Sequence, residues 1–254
     1  MCQILVQVGY NRQEKMVKTF KGINELSQYA ARSFIETANK SIKERGRFLA
    51  TLSGGSTPMR LYELMGNQFQ NKIDWSCVHF FWGDERCVPV DDAGNSYGQT
   101  KKVWFDKINI PDENIHRVLS ELEPDSAAKE YARTLKAFAE PPFAWPRFDL
   151  ALLGMGDDGH TASLFPNSPI DVDSPTLAVT ANYQGRPANR VTLTPKVLNS
   201  SRNIMFLVSG KSKAIALSRV LSDNYMPEEL PAQRIAPKDG NLIWLIDEEA
   251  GSLL

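Results

Sequence analysis

Phe148-Asp149-Leu150-Ala151-Leu152-Leu153-Gly154-Met155-Gly156-Asp157-Asp158-Gly159-His160-Thr161-Ala162-Ser163-Leu164-Phe165-Pro166 is an apolar run closed by glycines, then two acids, a histidine and a second short apolar run. An unbroken apolar stretch of strand length bounded by glycine reads as a β-strand buried on both faces, as in a parallel sheet covered by helices. Ligands in such sheets sit beyond the carboxyl ends of the strands. Gly154, Gly156 and Gly159 let the chain turn sharply and approach a ligand, and Thr161 to Leu164 is expected to open a helix whose free amides face the same crevice. Asp158 and His160 therefore fall on a ligand-facing loop. His79, inside a strand-like run, and His116, beside a proline-led turn, lack such company and read as structural or solvated.

Working outward, two segments repeat the same grammar of strand followed by polar loop. Arg47 to Leu52 reads as a strand and delivers Ser53-Gly54-Gly55-Ser56-Thr57-Pro58. Proline suits a first helical turn, where the amide it lacks would be unpaired anyway, and Met59, Leu61, Tyr62 and Leu64 continue a helix. Two readings of this loop stand side by side: free amides with the Ser56 and Thr57 hydroxyls form a phosphate seat, or Thr57 caps an ordinary strand-to-helix turn. Cys77 to Trp82 reads as another strand, ending in Gly83-Asp84-Glu85-Arg86, whose charges either serve a ligand or form a salt-bridged loop. Asn95 is a candidate cap for a helix from Ser96 to Trp104. Three strand ends with compatible groups favour a shared crevice, because an open α/β sheet gathers its strand ends along one edge.

Elsewhere the pattern alternates. Ile4 to Val8 is expected to be a first strand, and Ile23 to Arg45 a helix, with Leu26, Ala30, Phe34, Ile35 and Ala38 at helical spacing. Asp125 to Ala139 reads as an amphipathic helix, and residues 141–146 as a stiff proline-rich connector. Thr176 to Thr180, Arg190 to Thr194, Ile204 to Val208 and Leu242 to Ile246 read as strands, the third leading through Ser209-Gly210-Lys211-Ser212-Lys213 into a helix from Ala214 to Val220. Gly210-Lys211-Ser212 is not a nucleotide-binding P-loop, since that motif needs a glycine where Met205 stands. A lysine at this junction suits a phosphate as a point charge, or is simply solvated. The expected fold is a modified doubly wound, Rossmann-like α/β fold, a mostly parallel sheet with helices on both faces.

With 254 residues, 42% hydrophobic and 23% charged, the chain has material for a sizeable core. A formal net charge of -1 gives no electrostatic case for nucleic acid or an anionic membrane surface as partner. Apolar runs are strand-sized, well short of the roughly 20 residues of a membrane-spanning helix. The first residues carry no basic segment, long apolar core or cleavage site, and Cys2, Cys77 and Cys87 suggest neither a disulfide framework nor a zinc site. A cytoplasmic protein is expected.

The motifs SGGSTP at Ser53, WGDER at Trp82, GMGDDGHTASLFP at Gly154, RVTLT at Arg190 and SGKSKA at Ser209 resemble, in order and spacing over nearly the whole chain, those of the 6-phosphogluconolactonase family. The resemblance implies one α/β domain over 1–254, a fold shared with glucosamine-6-phosphate deaminase/isomerase, and hydrolysis of 6-phospho-D-glucono-1,5-lactone with no metal or cofactor. It implies His160 as general base, Asp158 as its orienting acid, and Arg86 as stabiliser of developing charge or anchor of the substrate. Substrate binding falls to Gly54, Gly55, Ser56 and Thr57 with Lys213 at the phosphate, and to Asp84 and Asn95 at hydroxyls. Arg190 is a second anchor or a structural ion-pair partner, and Lys211 is additional to the family's lysine. A monomer or weak homodimer is expected. Two departures matter: Gly94 stands where the lactonases commonly have serine, and Phe165 stands where the deaminases carry the glutamate of an Asp-His-Glu arrangement. A ring cannot accept the imidazole proton, so the deaminase relay is incomplete. A silent sugar-phosphate sensor is the other alternative, although no DNA-binding segment is evident.

Overall fold

The computed structural model describes residues 3–5, 16–169 and 172–254. In chain order the elements are β1 (Gln3–Leu5), β2 (Met16–Phe20), α1 (Ile23–Arg45), β3 (Phe48–Leu52), α2 (Ser56–Gln68), β4 (Val78–Trp82), β5 (Asp84–Arg86) and α3 (Ser96–Val103). They continue with β6 (Ile115–His116), α4 (Pro124–Ala137), β7 (Leu150–Gly154), β8 (Thr176–Thr180), β9 (Asn189–Leu193), α5 (Pro195–Asn199), β10 (Asn203–Val208), α6 (Ala214–Leu221) and β11 (Asn241–Asp247).

The main sheet has the order β1-β2-β11-β10-β7-β3-β4-β6, parallel throughout except for the β1–β2 pair. Chain direction reverses between β3, which leads outward to β4, and β7, which leads the other way to β10. The loops after β3 and β7 thus flank the topological switch point, where doubly wound sheets bind ligands. An antiparallel sheet, β5-β9-β8, stands beside it.

Strand periodicity explains the double covering. Along β3 and β7, Phe48, Ala50, Leu52, Leu150 and Leu152 face a core built with Leu26 and Phe34 of α1, Leu61 and Tyr62 of α2, and Trp104 just after α3. Leu49, Ala151 and Leu153 point to the opposite core, shared with Tyr131 and Leu135 of α4, Val197 of α5 and Leu217 of α6. Side chains alternate along a strand, so a strand apolar at every position needs helices on both sides.

Several expectations shift. The first strand is described for Gln3–Leu5 only; Val8 lies outside the described residues. Met16–Phe20 forms a strand that hydropathy did not reveal, because its short MVKTF pattern alternates weakly. Asp84–Arg86 is a strand of the small sheet rather than a loop. Thr161 to Leu164 opens no helix: Ala162 takes φ 49°, Thr161 Oγ1 donates to the Gly154 carbonyl (2.8 Å), and Ser163 is drawn toward the small sheet. Local side-chain hydrogen bonds there outcompete helical ones.

Candidate active site

At the carboxyl ends of β3, β7 and β10 lies a cleft of about 680 Å³, its open mouth included, walled on the other side by the small sheet. Gly54, Gly55, Ser56, Thr57, Asp84, Arg86, His160, Arg190 and Lys213 line it; of the sequence-derived set, Asp158 stands behind the His160 ring rather than in the lining, and Asn95 lies elsewhere. Asn95 is buried away from the cleft. Its Oδ1 accepts from the Gly98 amide (2.8 Å) to cap α3, while Nδ2 donates to Val88 O and Ser120 Oγ. Both ends of its amide are thus engaged within the protein, which leaves nothing for a substrate hydroxyl.

His160 is fixed twice by Asp158. Its amide donates to Asp158 Oδ1 (3.0 Å), and Nδ1 lies 2.6 Å from the same oxygen. A carboxylate accepts only, so Nδ1 carries the proton and Nε2, with no hydrogen bond to any described residue, presents a basic lone pair. The ring packs on Phe165 (centroids 4.5 Å) and against Tyr183 (4.7 Å, edge-on) and is 13% exposed. Burial opposes the Asp158 charge, but the hydrogen bond from His160 and the imidazole's charge outweigh it and hold the carboxyl below the usual range. Gly156 makes the arrangement possible: a Cβ there would stand 2.1 Å from His160 Nδ1 and 2.5 Å from Asp158 Oδ1.

Across the switch point, Gly55 precedes α2 with φ 105°, a conformation L side chains rarely adopt. Thr57 is not the cap: Gly55 holds that position, no side chain satisfies the first amides, and the first turn of α2 carries no acid. Unpaired amides at a helix start attract anions. Lys213, in the turn after β10, faces the same space, its ammonium shifted downward chiefly by burial. The carboxylate of Asp247 holds that turn, accepting from Ser209 Oγ and the Gly210 amide (3.0 Å).

Three residues of the small sheet divide their work by pleat. Asp84 and Arg86 face the cleft, and Glu85 points away, accepting from the amides of Arg86 (2.8 Å), Ser96 (2.7 Å) and Tyr97 (2.8 Å) at the start of α3. Burial pushes the Glu85 carboxyl up to about 7 against the pull of those amides. Asp84 accepts from Ser163 Oγ (2.6 Å). Arg86 donates from Nη1 to the Gly94 carbonyl (2.8 Å), while its Nε is buried without a partner. Arg190, 1% exposed and 5.2 Å over the Phe165 ring, has both Nε and Nη2 unpartnered.

Sequence reasoning missed Tyr183 and Arg186, which line the cleft from the β8–β9 loop, and the tie from Ser163 to Asp84. Tyr183-Gln184-Gly185-Arg186 carries a turn signal at its glycine, but where the turn points is a tertiary property. Among the described residues no three His, Cys, Asp or Glu side chains are grouped as a metal ion requires. Nor is any described helix long and apolar enough to cross a membrane.

The family profile described as glucosamine-6-phosphate isomerases/6-phosphogluconolactonase matches residues 22–244. The chain belongs to this family. Within the glucosamine-6-phosphate isomerase/6-phosphogluconolactonase family, it is 41% identical over 217 residues to the 6-phosphogluconolactonase of Synechocystis sp., covering 85% of this chain and 88% of that one. The crystal structure of 6-phosphogluconolactonase from Thermotoga maritima superposes with a TM-score of 0.81 at 29% identity, covering 92% of this chain and all (100%) of the other. A monomeric glucosamine-6-phosphate deaminase superposes equally well (TM-score 0.81, 25% identity, 94% and 99% covered). Fold therefore does not separate the family's two chemistries.

Proposed function

We propose that this chain is a 6-phosphogluconolactonase, hydrolysing 6-phospho-D-glucono-1,5-lactone to 6-phospho-D-gluconate. The observation that carries the reading is one cleft holding both an imidazole with a free Nε2, clamped by Asp158, and a seat of uncapped helix amides beside Lys213. His160 Nε2 takes a proton from water as its oxygen attacks the lactone carbonyl, giving a tetrahedral oxyanion. Collapse breaks the bond to the ring oxygen, and the imidazolium returns the proton there. Acid–base help of this kind is worth roughly 10²–10⁴-fold. Asp158 stabilises the imidazolium. Arg86, with an unpartnered Nε, meets the oxyanion or anchors the sugar. The phosphate lies on Gly54 to Thr57 with Lys213, Asp84 serves a hydroxyl, and Arg190 is a second anchor.

Phe165 favours this reading over deamination, since the ring beside the imidazole relays no proton. The enzyme then acts in the pentose phosphate pathway of the cytoplasm on a small molecule, as one domain and as a monomer or weak homodimer. The discriminating experiment supplies fresh lactone and, separately, glucosamine 6-phosphate. Acid release above the spontaneous rate without ammonia is expected; ammonia from the amino sugar with only blank lactone hydrolysis would overturn the proposal.

A further inference from the structure

Between β8 and β9 the chain closes a tight hairpin. Gln184 and Gly185 take φ 50° and 65°, the Arg186 amide donates to the Tyr183 carbonyl (3.0 Å), and these two residues pair across the tip. Two successive positive φ values mark a two-residue type I′ turn, whose twist matches its strands. The tip is then fastened: Tyr183 Oη and Gln184 Nε2 (2.8 Å) both donate to Asp157, the residue before the imidazole's own carboxylate, and the Tyr183 ring stands edge-on to His160. This arm holds Arg186 at the cleft wall. Its guanidinium lies 6.0 Å from the Tyr183 ring and has no hydrogen bond or ion pair to any described residue. Its charge bears on both Lys213 and Arg190.

Arg186, Arg190 and Lys213 thus line one cleft with no ion pair to a described residue, an arrangement that costs free energy until an anion arrives. We infer that Arg186 is a specificity-determining residue that binds the phosphate dianion together with Lys213, carried on a hairpin pre-set by the Tyr183–Asp157 fastening. This rests on the lactonase reading for its substrate, but not for the anion it binds. A guanidinium supplies a forked donor that complements the point charge of a lysine. Because the hairpin is already fixed, little ordering entropy opposes its use.

The test uses the full chain in two arms. In the first, inorganic phosphate is titrated calorimetrically into wild type, Arg186→Ala and Arg186→Lys. In the second, kinetics are measured on phosphorylated and unphosphorylated gluconolactone. Arg186→Ala is expected to raise both the phosphate Kd and the KM for the phosphorylated lactone by roughly 10- to 100-fold, the range of one charge-assisted hydrogen bond, with kcat little changed. Arg186→Lys is expected to recover part of the loss, and the unphosphorylated lactone to be unaffected by either change. An unaltered Kd and KM in Arg186→Ala, or an equal loss on both lactones, would overturn the assignment. Should wild type hydrolyse neither lactone, the lactonase reading fails while the phosphate titration still decides the role of Arg186.

Discussion

The two ends of the main sheet both carry arginines, and they treat them in opposite ways. At the amino end, Arg45 grips the buried Asp149 (3.0 Å), Arg202 meets Glu140 (2.7 Å) and Arg147 meets Asp239 (2.8 Å). Asp149 also accepts the Leu49 amide (2.9 Å), which ties the starts of β3 and β7 together. At the carboxyl end Arg86 and Arg190 keep buried nitrogens unpartnered, and Lys213 makes no ion pair with a described residue. Charge that is spent internally stabilises; charge held in reserve is a cost the fold carries for a ligand.

Substitutions at each end sharpen this contrast. The largest effect is expected at His160→Ala, with kcat lowered roughly 10²–10⁴-fold and a smaller change in KM; wild-type turnover would remove the imidazole from the mechanism. At the other end Asp149→Ala is expected to cost about 2–4 kcal/mol, because the Leu49 amide and Arg45 lose their acceptor and Arg202 a neighbouring charge. Denaturant unfolding would show the loss while kcat/KM of the folded fraction stays close to wild type. Arg190→Met inverts the pattern: melting temperature equal to wild type or higher, with weaker substrate affinity. A large stability loss there would mean that Arg190 belongs to the structural class after all.

The smallest effect concerns the sheet's far edge, where His79 Nδ1 and His116 Nε2 are 3.1 Å apart. Burial lowers both imidazoles, His116 to about 4, aided by the charge of His79 at His116 and by Arg47 at His79. Below the unfolded value near 6.5 the unfolded chain binds more protons, so stability falls as pH drops from there toward 4 and is insensitive to this pair above 6.5. Thermal melts across that range should show a gentler acid slope in His116→Gln than in wild type.

How much of this was legible before any coordinates depended on whether the cause was local. The bounds of α1 and the strands β3, β7 and β10 follow from continuous or periodic apolar residues, which report burial directly. Glycine-rich strand ends marked the cleft, and His160 with Asp158 stood out by proximity in sequence. Asn95 misled, because the same amide that recognises a hydroxyl also caps a helix, and only its three partners decide. The turn at Thr161 misled because Ser163 answers to Asp84, 79 residues away. Arg186 went unnoticed because the rest of the cleft it lines comes from strand ends distant in sequence, after β3, β7 and β10.

The tripeptide Asp84-Glu85-Arg86 owes its double service to a period of two. One insertion or deletion within it would turn Glu85 into the cleft and aim Asp84 or Arg86 at the first amides of α3. Ligand contacts and the anchor of a helix would vanish in a single event. A substitution there touches one service at a time, whereas a change of register removes both.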